Sequence, residues 1–299
     1  MSGARAVLHR HGRTFAFASH LLSPLHAQRA ATLYAFCRYV DDLADTADDI
    51  EKAQRALDIV RRALLTDRAE DAMTQAFLEL RRTTTLPTSA ALVLIDGVAS
   101  DLGVVRIASE YELVRYAFSV AGTVGVMMCA VLDVHDARAT PFASDLGIAM
   151  QLTNIARDVG ADARLGRRYL PASWVGELEP AAIVAPDIAL QPVLRDGTRR
   201  SLALAEQYYR SGEAGLGFLP WRARLAILAA ARMYRGIGTR VANADYRSWD
   251  RRAALGTAAK CVEAARAGGV FLFDPRIHRK DARHDARLHD ALCEGDSAA

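Results

Sequence analysis

The chain has 299 residues, with 38 Lys+Arg against 35 Asp+Glu for a formal net charge of +3, and is 51% hydrophobic, 24% charged and 7% aromatic. That balance excludes intrinsic disorder and collagen-like repetition, and the small basic excess with few aromatics excludes the charged, base-stacking surface of a nucleic-acid binder. An apolar half made mostly of Ala, Leu and Val favours packed helices, because strands are enriched in β-branched and aromatic side chains.

Helical periodicity runs along almost the whole chain, with no internal repeat and no sustained polar/apolar alternation. After an N-terminal segment, Pro24 is placed to open a helix over 25–46 that ends in an acidic run. Helices follow over about 50–65, 71–84 and 89–102. Ser109 and Glu112 have capping-box spacing, which predicts a long helix over 110–132. The uncharged run 116–132 is interrupted by Ser119, Gly122, Thr123 and Gly125 and falls short of the ~20 apolar residues of a membrane span, so it reads as a buried helix, with peripheral membrane contact left open. Pro141 opens the next helix, to about 163. A polar loop, 164–171, and a weakly patterned stretch with Pro180, Pro186 and Pro192 come next. Helices resume over about 195–215, 221–244 and 248–267. No linker divides this map, so it reads as one domain over 1–275 followed by a charged tail, 276–299. Cys37, Cys129, Cys261 and Cys293 form no CxxC pair, and no secretory apolar segment opens the chain; both point to a reduced, cytoplasmic protein.

Two acidic clusters carry the chemistry. On the helix over 25–46, Asp41 and Asp45 are four apart and share a face; like charges so placed cost ~0.2–0.5 kcal/mol and call for a cation. The same D-x-x-x-D spacing recurs at Asp45/Asp49, Asp67/Asp71 and Asp281/Asp285, where polar surroundings read as solvated helix faces. The Asp41 copy differs because Tyr34, Phe36, Val40 and Leu43 make its helix largely apolar, and a carboxylate cluster half-buried there needs a charge partner. In the second cluster Asn154, Asp158 and Asp162 form an i, i+4, i+8 row of oxygen donors. Its plain reading is a polar stripe on an amphipathic helix; its functional reading is a hard-cation site such as Mg²⁺. Arg157, Arg164, Arg167, Arg168 and Tyr169 place cationic groups beside it, and guanidinium forks bind phosphate bidentately. The two clusters together point to a diphosphate site. Between them, Gly122 and Gly125 imply either tight helix packing or a groove for a long apolar substrate. His11, Arg13 and Thr14 taken alone are ordinary surface residues. His278, His284 and His289 lack the fixed spacing of a zinc helix and read as solvated.

Several segments resemble the squalene/phytoene synthase family of head-to-head prenyl transferases, its bacterial phytoene-forming branch in particular. They are HGRTFAFASHLL at 11–22, YAFCRYVDDLAD at 34–45, VAGTVGVMM at 120–128, QLTNIARDVGADARLGRRYLP at 151–171, AEQYYRSGEAGLGFLP at 205–220 and ARMYRGIG at 231–238. The resemblance extends to about Cys261. It implies an all-α, single-domain, isoprenoid-synthase-type helical bundle around a central apolar cavity. It further implies that Asp41, Asp42, Asp45, Asn154, Asp158 and Asp162 hold Mg²⁺, with Mn²⁺ as the alternative, against prenyl diphosphates. Tyr34, Arg38, Tyr116 and Tyr169 match catalytic positions. His11, Arg13, Thr14, Gln151, Arg157, Arg167 and Tyr234 match substrate-binding ones. Two departures stand out: Gly12 replaces a Ser of the first motif, and Ala161 replaces a Glu that commonly precedes the last aspartate.

The implied activity is Mg²⁺-dependent condensation of two geranylgeranyl diphosphates to phytoene, without NADPH. The alternatives are dehydrosqualene, presqualene diphosphate or squalene formation from farnesyl diphosphate, and a non-catalytic assembly protein of the same fold, whose representatives tend to lose the aspartate clusters. The longer substrate is expected because Ala27, Ala30 and Ala31, one to two turns before Tyr34, leave room for a deep pocket.

Overall fold

A computed structural model describes residues 13–45 and 49–293. The elements in chain order are α1 (Arg13–Ser19), α2 (Pro24–Asp45), α3 (Ile50–Thr66), α4 (Ala72–Arg82), α5 (Thr88–Ala99), α6 (Glu110–Ala117), α7 (Thr123–Val131), α8 (Ala139–Arg164), α9 (Ala172–Val175), α10 (Pro180–Val184), α11 (Leu190–Ala214), α12 (Trp221–Asn243), α13 (Thr257–Phe273) and α14 (Asp290–Cys293), with short 3₁₀ turns between some of them. The β contact among the described residues is an isolated bridge between Arg106 and Arg168. The all-α expectation therefore holds.

Local chemistry sets the helix starts. Asp49 caps α3 by accepting from the Glu51 N–H, and Asp71 caps α4 by accepting from Met73 and Thr74. Ser109 caps α6 through the Glu112 N–H at 3.2 Å, while Glu112 Oε2 reaches back to the Ala108 N–H at 2.7 Å, one residue before the usual capping-box partner. Two decoy D-x-x-x-D pairs thus contain helix caps, and Asp67 is tied to Arg81 and Arg82. They are folding signals rather than plain solvated faces.

The core lies in two main parts with a cavity between them. One, built by α2, α3, α4, α5 and α7, includes Leu33, Phe36, Val40, Leu57, Phe77 and Leu94. The other, built around α6, α8 and α11, includes Leu113, Ile148, Leu152, Tyr209 and Trp249. Helices α2 and α8 each give one face to a core and another to the cavity: Ala30, Tyr34, Cys37 and Asp41 from α2, and Ala143, Gly147, Met150, Gln151 and Asn154 from α8. Those spacings are the helical i, i+3, i+4 rows.

The predicted helix over 110–132 is present but carries a π-turn at Phe118–Gly122. Glu110–Val131 is long and apolar enough to cross a membrane, yet it packs on α5 and α8 and its Val120, Ala121, Val124, Gly125 and Met128 line the cavity. Both readings of the glycines are met. A Cβ on Gly125 would lie 2.0 Å from the Ala143 carbonyl oxygen, and one on Gly147 2.2 Å from that of Ala121.

Two expectations need correction. The helix expected over 248–267 begins at Thr257. The preceding stretch turns at 248–250 and has no regular structure over 251–256; Trp249 is buried in that turn against Gly160, where a Cβ would lie 2.5 Å from the Trp249 carbonyl oxygen. Two of the tail histidines are not solvated: His284 and His289 are half-buried against the fully buried Asp145, and Tyr208 donates to the Leu288 carbonyl at 2.7 Å. His278 is exposed, as expected, although it contacts Arg224 at 2.6 Å and the Phe271 carbonyl at 2.7 Å.

Helix propensity alone favours Ala over Gly by ~1 kcal/mol. Gly125→Ala is nevertheless expected to destabilise by about 2 kcal/mol, because the added methyl meets backbone that cannot yield. Thermal or urea unfolding checks the sign.

Candidate active site

The cavity has two chambers. The larger is apolar and comprises about 1520 Å³ of atom-free space counted out to its mouth. Along α2 its wall runs ~16 Å from Ala30 to Asp41, and along α8 ~22 Å from Ala139 to Asn154, at 1.5 Å per residue. The smaller chamber is polar, about 700 Å³ on the same basis, and is lined by Asp41, Asp101, Gln151, Asn154, Asp158, Asp162, Arg167, Tyr116 and Tyr169 among others. Asp41, Val120, Gln151 and Asn154 line both, so the polar chamber opens directly into the apolar one.

One stripe of α8 serves both. Its early turns present Ala143, Gly147 and Met150 to the apolar chamber, and its later turns present Asn154, Asp158 and Asp162 to the polar one. Asn154 Nδ2 donates to Gln151 Oε1 at 3.2 Å, and its buried Oδ1 has no hydrogen-bond partner among the described residues. Such an oxygen favours a cation nearby. Asp158 is gripped by Arg157 through paired hydrogen bonds and by Arg252, with Nε–Oδ1 at 2.6 Å and Nη2–Oδ2 at 3.0 Å. Burial pushes the Asp158 carboxyl up, but the hydrogen bonds and charges of the two guanidiniums outweigh it and leave the group below the ordinary carboxylate range. Asp162 has the opposite balance. Burial and the neighbouring Asp158 charge push it up to about 7, and Arg167 offsets only part of this.

Tyr116 and Tyr169 donate to Asp101 Oδ2 and Oδ1, each at 2.7 Å. Their hydroxyls are 3.2 Å apart and their rings stack at 4.8 Å. Burial first, then the anionic surroundings, push both phenols well above their ordinary value. Tyr34 is pushed up to about 12 by burial and by Tyr234, with Arg38 opposing. Tyr234 lines the apolar chamber and is likewise pushed up by burial. All four therefore stay protonated. The thiols of Cys37 and Cys129 line the apolar chamber too, and burial pushes both up, Cys129 to about 11.

The loop after α8 is held by backbone pairing: Arg168 N–H to the Val105 carbonyl at 3.0 Å and Ile107 N–H to the Arg168 carbonyl at 3.2 Å. Gly166 turns this loop with φ +76°. Arg167 and Tyr169 then face the chamber while Arg168, alternating away, is buried and clamps the Ile107 and Leu170 carbonyls at 2.9 and 2.8 Å. Arg168, read from sequence as part of the cationic group beside the acidic row, is a structural clamp. Arg164 reaches the Trp249 carbonyl at 3.4 Å.

The structure thus brings together Tyr34, Asp41, Tyr116, Gln151, Asn154, Asp158, Asp162, Arg167, Tyr169 and Tyr234, with Arg157 on Asp158. Arg38 and Asp42 pair with each other at 2.5 Å, half-exposed, and line neither chamber. His11 lies outside the described residues, as do the side chains of Arg13, Thr14 and Asp45. Asp101 and Arg252 escaped the sequence reading. Neither shares a helical row with the aspartates: Asp101 sits in a 3₁₀ turn after α5, and Arg252 is 94 residues from its partner. Of the expected small residues on α2, Ala30 lines the apolar chamber, whereas Ala31 packs with Ala16 and Tyr34.

Known proteins resemble this chain over most of its length. The squalene/phytoene synthase family profile matches residues 8–258. The chain is 33% identical over 289 residues to a 15-cis-phytoene synthase of Enterobacter agglomerans, covering 93% of this chain and 96% of that one. It is 37% identical over 258 residues to a phytoene synthase of Pseudescherichia vulneris, covering 80% and 82%. A solved dehydrosqualene synthase in complex with a ligand superposes with a TM-score of 0.80 at 25% identity, over 91% of this chain and 96% of that one. A helical cavity with an acidic mouth and an apolar depth, matched over most of its length, makes this chain a member of the squalene/phytoene synthase family, prenyltransferases that generally depend on a divalent metal.

Proposed function

We propose that this chain joins two molecules of geranylgeranyl diphosphate head to head, by way of a cyclopropylcarbinyl diphosphate, to give phytoene. The observation that carries the reading is the direct opening of an acid- and arginine-lined chamber into a long apolar one, which suits a diphosphate head on a prenyl tail. The relatives named as phytoene synthases support the substrate and product.

The donor set fits a hard divalent cation. Asp41, Asn154, Asp158 and Asp162 offer oxygen atoms only, and the partnerless Asn154 Oδ1 has an electron pair to give. Mg²⁺ is the natural choice, with Mn²⁺ as the alternative. When bound, the ion supplies Lewis-acid stabilisation of the charge that gathers on a departing diphosphate.

The chain's own residues do the rest. Arg157 and Arg252 hold Asp158, and their forked guanidiniums are also shaped for phosphate oxygens, so an incoming diphosphate competes for them and releases the carboxylate. Arg167 adds a further positive charge at the chamber wall. Ionisation of the C–O bond leaves its electron pair on the diphosphate and an allylic cation on the prenyl chain. That cation is attacked by the double bond of the second substrate, and loss of a proton closes the cyclopropane. A second ionisation, rearrangement and proton loss give the central triene, so two diphosphates and two protons leave and no reductant is consumed. Tyr34, Tyr116, Tyr169 and Tyr234 remain phenols: they can face a cation with rings and hydroxyl dipoles without being alkylated as phenolates. The apolar walls exclude the water that would quench it.

Full-length protein is to be incubated with Mg²⁺ and either geranylgeranyl or farnesyl diphosphate, each with and without NADPH, and the product weighed by mass spectrometry. The expected result is a hydrocarbon of twice the geranylgeranyl carbon count, indifferent to NADPH, and its loss by about 10³-fold or more in Asp158→Ala with the circular dichroism unchanged. A product from farnesyl diphosphate alone would reassign the substrate, and no hydrocarbon from either would overturn the enzyme reading.

Chamber depth gives a sharper test. Ala30 is at the end of the α2 wall away from Asp41, so Ala30→Trp is expected to cut turnover of geranylgeranyl diphosphate at least about tenfold while sparing farnesyl diphosphate. Equal rates on both before and after the substitution would refute the assignment of chain length.

The Asp162 carboxyl sets the pH dependence. It stays neutral in the folded protein up to about 7 rather than the ordinary 3.8, so between these values folding without metal must take up a proton, and stability of the metal-free protein should fall as pH rises from about 4 to 7 and level off above. Metal binding needs the ionised form. Divalent-ion affinity is therefore expected to weaken by up to about tenfold per pH unit below 7, with Asp162→Asn flattening the profile and raising the melting temperature of the metal-free protein at pH 8. Calorimetric metal titration on both sides of about pH 7 measures the affinity, and thermal unfolding from about pH 4 to 8 measures the stability.

A further inference from the structure

A second cluster of metal-ligating atoms lies on the opposite face of α8 from Asn154, nine residues earlier and ~20 Å along the axis from Asp158. Asp145, with 0% of its side chain exposed, accepts from His284 Nε2 at 2.8 Å and from His289 Nε2 at 2.7 Å, and the Ser211 hydroxyl donates to it at 2.5 Å. The ligand atoms of Asp145, His284 and His289 all lie within 4.8 Å of one another. The two imidazoles are themselves mostly covered, with 13% and 21% of their side chains exposed, and their rings are 4.5 Å apart.

The surroundings hold these groups in place. Phe142 packs edge-on to His284 at 5.3 Å, Tyr208 holds the Leu288 carbonyl, and Ala291 is buried beyond it. A fully buried carboxylate is costly unless strongly paired, and the charged partner that Asp145 lacks in Arg or Lys among the described residues could be supplied by a metal ion held between it and the two imidazoles. Two imidazole nitrogens and one carboxylate form the donor set of Zn²⁺, with room in the coordination for a hydroxyl or water as the fourth ligand. Mg²⁺, which seeks oxygen, prefers the aspartate rows. Tetrahedral ligands at zinc distances stand ~3.3 Å apart, so the present 2.7 and 2.8 Å contacts need open by only about half an ångström. Each neutral imidazole would move its proton from Nε2 to Nδ1 and present the Nε2 lone pair.

We propose that Asp145, His284 and His289 form a zinc-type metal site that fastens the C-terminal segment to α8. Phe142, which contacts His284, also lines the apolar chamber, so the site pins one wall of that chamber. It is separate from the divalent-ion site at the aspartates in place and in donor chemistry, and does not depend on the substrate assigned above.

The test uses full-length protein stripped by chelator and kept in excess Mg²⁺, then titrated with Zn²⁺, and with Co²⁺ for its visible spectrum. One equivalent should be retained through gel filtration, raise the melting temperature, and shift the ¹⁵N resonances of two imidazoles. His284→Gln and His289→Gln should each weaken binding about 100-fold or more, whereas Asp41→Asn with Asp158→Asn should leave it unchanged. If the wild-type protein binds no equivalent in Mg²⁺, or shows no imidazole shift, the triad is a hydrogen-bonded clamp and nothing more. Retention by the histidine variants with loss in the aspartate variant would equally overturn the proposal. Binding and imidazole shifts are read on the unaltered chain, so they decide the matter even where a variant folds poorly.

Discussion

Asp41, Asp101, Asp158 and Asp162 line one half-buried chamber, and Arg167 lines it with them. Like charges brought together away from bulk water raise one another's cost, and the surrounding structure can be read as the means of containing that cost. Asp101 is discharged by two phenols, Asp158 by two arginines, and Asp162 by keeping its proton to about 7. Each solution is temporary in chemical terms, because a proton, a guanidinium and a phenol can all give way to a stronger partner. A chamber left short of positive charge is a chamber built to receive it, and stability is given up locally for that purpose.

The apolar depth follows from the same constraint. A cation produced at the chamber mouth survives only where water does not reach it, and the helices that hold the acids also build the dry space beyond. Along α8 the cavity-facing stripe changes from Ala143, Gly147 and Met150 to Asn154, Asp158 and Asp162 within one continuous helix. Its position is fixed by contact rather than by propensity. Gly125 and Gly147 let α7 and α8 meet backbone to backbone, and the π-turn at Phe118–Gly122 re-aims Val120 into the junction of the two chambers. A helix that passes the length and hydropathy criteria for a membrane is in this fold a cavity wall.

The legible parts of this design were those written within single helices. The rows at Asp41 and at Asn154, Asp158 and Asp162 obey the 3.6-residue period, and the small residues of α2 and α7 announced either packing or space. Spacing alone could not separate these rows from Asp45/Asp49 and Asp67/Asp71, where Asp49 and Asp71 turned out to cap helices. What stayed hidden depends on contacts between distant segments. Arg252 reaches Asp158 only because Trp249 packs on Gly160 and holds the start of the expected helix open. Asp101 matters only because α6 and the loop after α8 bring two tyrosines to it. Arg168 and Arg167 are neighbours in sequence with opposite fates, one sealed into the backbone of its loop and one facing the chamber. The tail histidines looked solvated because their partner, Asp145, is 139 and 144 residues away.

That distant pairing bears on how one helix can serve two kinds of ligand. The opposite faces of α8 carry donors of different hardness: amide and carboxylate oxygens toward the substrate chambers, and a carboxylate completed by imidazoles toward the C-terminal segment. A helix is stiff over these ~20 Å, so the two clusters keep fixed relative positions while remaining chemically distinct. Phe142, one turn before Asp145, touches His284 and also lines the apolar chamber. Pinning the segment therefore limits how far that wall can relax around a tail, and relaxation of a packed wall is what decides whether an extra isoprene unit is accommodated or refused. The shape of the substrate chamber is in this sense set by residues at the far end of the sequence as much as by the aspartate-bearing helices that open it.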